Sequence, residues 1–262
     1  MGQTAAGALG DTDNALGAFL RARREGVPPS AVGLPSDPAR RTPGLRRAEL
    51  AELAGMSVDY LTRLERGADR RPSPQVLGAL ADVLRLTEDE HVHLLRLVKA
   101  GGGMGCTGET PPAPRPSLCA LLDQLEPAPA VLLNRCGDIL ARTEGFRVFG
   151  VPEELTNLPQ FVFTNTRARR LLPDWDVIAD EWAARLRAAV DLGDPYARLF
   201  ATELALRVGA EFVARYDRAT RVPMWTGTER WADSAGVIRD WRYEALGLPE
   251  TEEHRLLVYL PG

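Results

Sequence analysis

The chain has 262 residues, of which 45% are hydrophobic and 26% are charged, and its formal net charge is −4. This length suits two ordinary domains, and the apolar share is enough to fill their cores. No apolar run is long enough to cross a bilayer, and the amino terminus lacks the basic and apolar regions of a secretory signal. We therefore expect a cytoplasmic protein with no membrane partner.

The amino-terminal part carries helical patterns, beginning with a predicted helix from Asn14 to Arg24. Two short amphipathic helices are predicted within residues 44–67, joined by a turn at Ala54-Gly55-Met56. Ser57 stands where the second of them needs an N-cap, and apolar residues recur at three- and four-residue steps: Leu50, Leu53, Val58, Leu61 and Leu64. The pattern predicts a helix-turn-helix, whose second helix fits the major groove of DNA, and an ordinary pair of packed helices is the alternative.

Two further helices are predicted between Ser73 and Val98. Ser73-Pro74 supplies an N-cap and a proline at the first helical position, and Thr87 precedes three acidic residues that a helix amino terminus favours.

The amino-terminal part of the chain resembles the Xre-type helix-turn-helix, a resemblance that rests on Leu50-Ala51, Gly55-Met56-Ser57, Leu61, Arg63-Leu64-Glu65 and Gly67. The resemblance implies an all-α DNA-binding domain of five helices, which we place at residues 1–99.

The net charge divides unevenly along the chain. Residues 1–99 hold 14 basic against 13 acidic side chains, whereas residues 100–262 hold 18 against 23. Between Arg40 and Arg71 the count is 8 against 5. Basic charge around the motif is what phosphate contact requires, so the expected partner is a double-stranded DNA operator. Because the excess is small, useful affinity favours a homodimer on two half-sites.

The candidate DNA contacts fall into two groups. The amino-terminal half of the second motif helix points into the groove, so its residues are candidates for base contact: Ser57, Val58, Asp59, Tyr60, Thr62 and Arg63. Arg63 can donate two parallel hydrogen bonds to guanine, and Asp59 can accept from cytosine or orient Arg63. The arginines ahead of the motif helix are candidates for phosphate contact: Arg40, Arg41, Arg46 and Arg47. We expect Glu65 to pair with a neighbouring arginine, and a solvated helix face at Arg21, Arg23 and Arg24.

The remainder of the chain predicts a second domain. Residues 100–116 are rich in glycine, proline and threonine and are predicted to be a linker. An apolar helix at residues 117–125 precedes a predicted β-hairpin that turns at Arg135-Cys136-Gly137. Helical patterns then cover residues 146–217, and three strands are predicted at Met224–Trp231, Val237–Leu246 and Arg255–Leu260. This order predicts an α+β domain at residues 117–262 with one antiparallel sheet.

The second domain resembles the MmyB-like ligand-binding domain of actinobacterial regulators. The resemblance rests on Leu133-Asn134-Arg135 and on residues 171–176, 243–249 and 255–259, together with an insert at residues 27–45 ahead of the motif. It implies a PAS-like fold that holds an apolar, fatty-acid-like ligand between the sheet and the helices.

On physical grounds such a pocket would be lined by large apolar side chains, for each of which plain core packing is the alternative: Ile139, Phe146, Phe149, Phe161, Trp175, Phe200, Trp241 and Tyr243. The hairpin has Gly137 and Arg142 where relatives usually place tryptophans. Arg142 is therefore expected to meet a polar or anionic ligand head. The other interpretation is that the pocket has changed its ligand or lost it.

No enzyme motif is present in the sequence. The chain has no Gly-x-Ser-x-Gly, no His-Glu-x-x-His, no phosphate-binding glycine loop and no dinucleotide fingerprint. His91 and His93 are two residues apart and lie on different faces of a helix, so we expect neither a metal nor a cofactor. The sequence favours a transcription regulator whose carboxy-terminal domain senses an apolar small molecule. The alternative is that this domain serves only dimerisation or the binding of a protein partner.

Overall fold

A computed structural model describes residues 14–35, 42–101, 113–219, 226–233, 236–248 and 251–262. The described chain divides into two compact units. One comprises residues 14–101 together with 191–193, and the other comprises the described residues of 113–190 and 194–262. None of the helices in these ranges is long and apolar enough to span a membrane.

The first unit is a bundle of five helices, as the sequence predicts. A short 3-10 turn follows α1, and the helices are α1 (Ala15–Gly26), α2 (Arg47–Leu53), α3 (Val58–Glu65), α4 (Pro74–Val83) and α5 (Glu88–Gly101). Leu20, Leu50, Leu61 and Leu80 are fully buried, so one apolar side chain from each of the first four helices meets in the core. The helix α5 adds Leu94, which is also fully buried.

The predicted N-caps explain where two of these helices begin. Ser57 Oγ accepts a hydrogen bond from the Tyr60 backbone N–H at 3.1 Å, and Ser73 Oγ accepts one from Val76 at 3.3 Å. Each bond satisfies a backbone donor that the first helical turn leaves without a partner. The caps therefore fix the start of α3, which is the second helix of the motif, and the start of α4.

The second unit is an α+β domain around five antiparallel strands. These are β1 (Ala130–Asn134), β2 (Ile139–Arg142), β3 (Thr226–Ala232), β4 (Ile238–Leu248) and β5 (Thr251–Pro261). The strand order across the sheet is β2-β1-β5-β4-β3. The predicted α+β class and the antiparallel sheet are confirmed, although β5 begins four residues before the predicted Arg255. Pairing of Leu248 with Thr251 explains this earlier start, because the strands stay hydrogen-bonded almost to their connection.

The helices of this unit are α6 (Pro116–Gln124), α7 (Leu158–Thr164), α8 (Ala168–Leu171), α9 (Trp175–Asp191), α10 (Pro195–Val208) and α11 (Ala210–Arg218), with a 3-10 helix at Glu144–Phe149. α5 runs through Gly101 and α6 begins at Pro116. These helices therefore take in both ends of the segment predicted as a linker, while residues 102–112 lie outside the described residues.

Alternate residues of each strand lie on opposite faces of the sheet. The face that carries Tyr243 and Tyr259 packs on α7 and α9 and forms the main core. The opposite face carries Leu132 and Leu256, which pack on α6. Helices α9, α10 and α11 form a further apolar cluster of their own, centred on Phe212 and Tyr216. The sheet is therefore covered by helices on both faces, and the larger core lies on the α9 side.

Candidate functional site

The helix α3 presents one face to the core and the other to solvent. Leu61 and Leu64 are fully buried, whereas Val58 is 44% exposed. Ser57, Asp59 and Arg63 are exposed, and Tyr60 and Thr62 are half-buried. The six residues predicted for base contact therefore lie at the surface or at its edge. This arrangement leaves the amino-terminal half of α3 accessible to a DNA groove.

Arg63 is held by two neighbours. Its Cζ lies 5.6 Å from the centre of the Tyr60 ring, and its Nη2 lies 3.3 Å from Asp69 Oδ2. The side chain of Arg63 remains 61% exposed. The alternative in which Asp59 orients Arg63 is not observed, since Asp69 occupies that role from the loop after α3. Sequence reasoning missed Asp69 because it approaches Arg63 only after the chain reverses beyond α3.

The hydroxyl hydrogen of Thr62 is already used in a hydrogen bond within α3. Its hydroxyl donates to the Val58 carbonyl oxygen, four residues earlier in the same helix, at 2.8 Å. The lone pairs of the oxygen remain for a donor on a base edge, and the methyl group remains for apolar contact. In this arrangement Thr62 can accept a hydrogen bond from DNA but cannot donate one.

The arginines that precede the motif differ in their exposure and in their hydrogen bonds. Arg46 is exposed at the N-cap of α2, where its backbone N–H donates to Glu49 Oε2 at 2.7 Å. Arg47 is half-buried, and its Nε donates to Glu65 Oε2 at 2.6 Å. Binding through Nε leaves the two terminal nitrogens of Arg47 for a phosphate. Arg40 and Arg41 lie outside the described residues.

Glu65 joins three helices at the centre of the motif. Its carboxylate is fully buried and accepts hydrogen bonds from Arg24 Nε at 2.6 Å, from Arg24 Nη2 at 3.2 Å and from Arg47. Burial alone would raise the pKa of Glu65, but the hydrogen bonds from Arg24 and Arg47 outweigh it and hold that pKa below its usual range. The expected pairing of Glu65 with a neighbouring arginine is thus present, and its partners lie on α1 and α2.

The expected solvated face of α1 is wrong for Arg24. Only 4% of Arg24 is exposed, because its guanidinium turns inward to Glu65 and donates to the Leu45 carbonyl oxygen at 2.8 Å. Arg23 pairs with Glu90 of α5 at 2.6 Å. The arginines of α1 therefore help to bind the helices of the bundle together.

The second unit contains a cleft between the sheet and the helices α7 and α9. Its empty space is about 420 Å³, including the part that opens to solvent. The free space within it, about 20 Å³, is room for little more than one water molecule. The apolar lining includes Leu158, Phe161 and Val162 of α7, Trp182 of α9, and Trp231, Leu257 and Tyr259 of the sheet.

Three charged side chains line the same cleft: Glu181 and Arg185 of α9 and Glu229 of β3. Arg185 is 7% exposed and forms an ion pair with Glu181, which also accepts a hydrogen bond from the Tyr243 hydroxyl at 3.2 Å. Glu229 Oε2 accepts from Trp231 Nε1 at 2.9 Å and from the Tyr259 hydroxyl at 3.2 Å. Burial raises the pKa of Glu229 to about 7, although the hydrogen bond from Trp231 opposes the rise.

The aromatic residues predicted for the pocket lie in several places. Six are buried in the core beside the sheet: Phe146, Phe149, Phe161, Trp175, Trp241 and Tyr243. Ile139 packs against that core from β2, and Phe161 is the one that also lines the cleft. Phe200 packs against the α9–α11 cluster instead. Arg142 donates to the Pro152 carbonyl oxygen at 3.4 Å and does not line the cleft.

Two glycines let large side chains approach the cleft. Gly137 has a φ of +81°, and a Cβ there would lie 2.4 Å from Pro159 and 2.8 Å from the Trp182 ring. A Cβ on Gly227 would lie 2.8 Å from the Tyr243 ring and hydroxyl. These distances are too short for any larger residue, so the glycine at each position lets Trp182 or Tyr243 reach its place beside the cleft.

Comparison with known families matches the chain in two places. A model of a helix-turn-helix domain matches residues 15–94. The model of the MmyB-like transcription regulator ligand binding domain matches residues 114–262, more than half of the chain. The chain belongs to the MmyB-like transcription regulators. A search of curated proteins finds no match.

The MmyB-like regulator therefore combines a DNA-binding helix-turn-helix domain with a ligand-binding domain, and its family is one of transcription regulators, not of enzymes. In the ligand-binding domain, sequence reasoning missed the charged group at the cleft. One signal was available for Glu229: in an alternating strand it shares a face with Gly227 and Trp231, which places a carboxylate on the apolar side of the sheet. Arg185 carried a second signal, since it stands between apolar neighbours in the middle of a long helix.

Proposed function

We propose that this MmyB-like regulator binds a short DNA operator as a homodimer, with α3 in the major groove, and that it acts in the cytoplasm. The observation that carries this proposal is the accessible amino-terminal half of α3, held on α1 and α2 by the buried carboxylate of Glu65. A recognition helix needs this combination, since its position must be fixed while its outer side chains stay free.

Arg63 is the main candidate for base recognition, by two parallel hydrogen bonds to guanine. Ser57, Val58, Asp59, Tyr60 and Thr62 lie around it and complete the proposed contact surface. Arg46 and Arg47 are proposed to bind phosphates. Arg66 and Arg70, which are exposed directly after α3, are additional candidates for the same role.

The homodimer is supported by the charge balance. The motif region from Arg40 to Arg71 holds an excess of only three positive charges, so a single domain releases few counterions from DNA. Two domains on neighbouring half-sites double that number.

A ligand can regulate DNA binding by this dimer only if it binds more tightly to one of two dimer arrangements that differ in their affinity for DNA.

For the carboxy-terminal domain we propose a sensor of an apolar small molecule with a fatty-acid-like body. The apolar lining of the cleft by α7, α9 and the sheet supports this proposal. A second candidate is a domain that serves only dimerisation or the binding of a protein partner. The narrow free space of the cleft favours that second candidate, because a ligand larger than water has to displace side chains.

A footprint of the purified protein on the DNA upstream of its own gene, across a salt series, tests the first part. We expect protection over one or two helical turns that outlasts nonspecific binding as the salt concentration rises. A two-fold symmetric site would support the homodimer. Absence of any protected site with folded protein, both alone and after addition of candidate ligands, would contradict the proposal.

A further inference from the structure

We propose that the outer face of the sheet, which carries Arg242 and Glu244 and lies opposite the cleft, joins two copies of this chain in a homodimer. This inference rests on the proposed homodimer and assigns the surface that holds its two copies together. Helix α6 packs on this face at Leu132 and Leu256. Towards β3 and the adjoining part of β4, the side chains of the outer face are exposed. That exposed part is the candidate interface.

The exposed part of the outer face carries large apolar side chains as well as charged ones. Leu246 of β4 is 51% exposed and Leu260 of β5 is 43% exposed. Val258, on the same face of β5, is half-buried. A sheet face that remains in water is usually polar, and these side chains depart from that pattern. A second sheet packed on this face would remove them from water, which is favourable.

Two side chains of opposite charge lie close together on β4. Arg242 and Glu244 are two residues apart and both are exposed, so they share the outer face. Within the part of the chain that the structure describes, neither side chain forms an ion pair. The positive and the negative charge are therefore both available to a second molecule that presents the opposite charge.

The register of the strands makes this face complementary to itself. Two neighbouring rows cross the sheet, each with one residue from β3, β4 and β5 in that order: Thr226, Glu244 and Val258 in one row, and Thr228, Arg242 and Leu260 in the next. A two-fold axis between the rows, parallel to the sheet and perpendicular to its strands, places each row of one copy opposite the other row of the second copy. Threonine then meets threonine, the two charges of β4 meet with opposite signs, and the apolar side chains of β5 meet.

The two-fold axis repeats each of these contacts. Arg242 of each copy would meet Glu244 of the other, so the interface would contain two ion pairs. Charges within an interface are less exposed to water than charges on a free surface, so their attraction is stronger there. Leu246 would lie opposite Asp240, at the margin, where two twisted sheets diverge. The central rows therefore carry the proposed recognition between copies.

The test measures dimerisation of the full chain by sedimentation across a concentration series, with and without operator DNA. Arg242→Glu and Glu244→Arg each place two pairs of like charges across the proposed interface. We expect each reversal to raise the dissociation constant of the dimer by at least about tenfold. The double variant restores two pairs of opposite charge with the signs exchanged, so it should dimerise as well as the unsubstituted protein.

Arg167→Glu is the matched control. Arg167 is exposed at the start of α8, which packs on the other face of the sheet, and its reversal changes the net charge as Arg242→Glu does. The control should leave the dimer unchanged. Thermal unfolding checks that each variant is folded. If a single reversal does not fold, Leu260→Arg replaces it, since a charge in the apolar part of the same interface should weaken the dimer similarly.

The possible failures separate the interface from the proposed homodimer. A dimer that the reversals leave intact, or that the control weakens as much, would overturn the inference and place the contact between copies elsewhere, for example at the edge of β3. Weakening without recovery in the double variant would show that Arg242 and Glu244 do not face each other, which also overturns it. A chain that stays monomeric at all concentrations, both alone and with operator DNA, would contradict the homodimer itself.

Discussion

The two domains each contain a cluster of arginine and glutamate side chains, with opposite charge balances. In the helix-turn-helix domain one carboxylate, Glu65, is bound by Arg24 and Arg47. In the ligand-binding domain two carboxylates, Glu181 and Glu229, accompany Arg185. In the first cluster the shared carboxylate is fully buried, whereas the second cluster lies beside a cleft.

The difference shows how the balance of charges around a carboxylate sets its pKa. Around Glu65 the bonds from two arginines lower the pKa of the carboxylate and keep it ionised. Around Glu229 burial prevails and raises the pKa to about 7. A carboxylate with its partners in place fixes the fold. A carboxylate that two arginines do not stabilise is partly protonated near neutral pH.

The largest effect is expected from Glu65→Ala, which leaves Arg24 buried without its partner. We expect the helix-turn-helix domain to lose about 3–5 kcal/mol of unfolding free energy and the protein to lose operator binding. Chemical denaturation of the full chain measures the loss. The exposed Glu52→Ala on α2 serves as the control and should cost less than about 0.5 kcal/mol. An equally small loss for Glu65→Ala would contradict the structural role of this cluster.

Arg63→Ala separates DNA recognition from the positioning that Glu65 provides. We expect operator affinity to fall by about 1–3 kcal/mol and specificity to relax at one base pair, with little change in stability. Titrations against the operator and against each single base-pair variant check this. Losses of equal size on all sequences would reassign Arg63 to a phosphate contact.

Glu229→Gln tests the raised pKa in the second cluster. Below about pH 4.5 the carboxyl is protonated in the folded and unfolded states, so its ionisation costs nothing. As the pH rises from there to about 7, the unfolded state ionises first, and the folded state loses stability relative to it. The variant should therefore gain up to about 3 kcal/mol over the unsubstituted protein across this range. Thermal unfolding at several pH values measures the difference, and a constant difference would contradict the raised pKa.

Arg47→Ala has the smallest expected effect. Glu65 keeps Arg24 in this variant, so the bundle should remain folded. We expect all DNA sequences to be bound more weakly to a similar degree, with a salt slope reduced by about one. Affinity against salt concentration, for operator and unrelated DNA, gives the slope. A loss restricted to one operator position would point to a base contact instead.

The sequence predicted local patterns well and long-range pairings poorly. The helices of the first domain and the order of strands and helices in the second follow from periodicity and caps, which involve residues a few positions apart. Arg24 was assigned to a solvated face because its partner, Glu65, lies 41 residues further along the chain.

The prediction of the pocket fails for the same reason, since it depends on contacts between residues far apart in the chain. Eight residues are predicted for it from their apolar type and Arg142 from its place in the hairpin, but Phe200 packs against the α9–α11 cluster and Arg142 does not line the cleft. Which aromatic side chains meet depends on how the helices pack on the sheet, and periodicity carries no information on that packing. The charged group at the cleft was missed for a related reason, because the sequence does not show whether a given glutamate is buried or exposed.

The strand order affects the order in which the two domains can fold during synthesis. β5 comes last of the five strands along the chain, yet it lies in the middle of the sheet, between β1 and β4. On the ribosome, the helix-turn-helix domain emerges and can fold first, because all but three of its described residues lie within residues 14–101. The sheet cannot close until β5 arrives, and with it Leu257 and Tyr259 of the cleft. An incomplete chain would therefore contain a folded helix-turn-helix domain before the sheet of the ligand-binding domain could form.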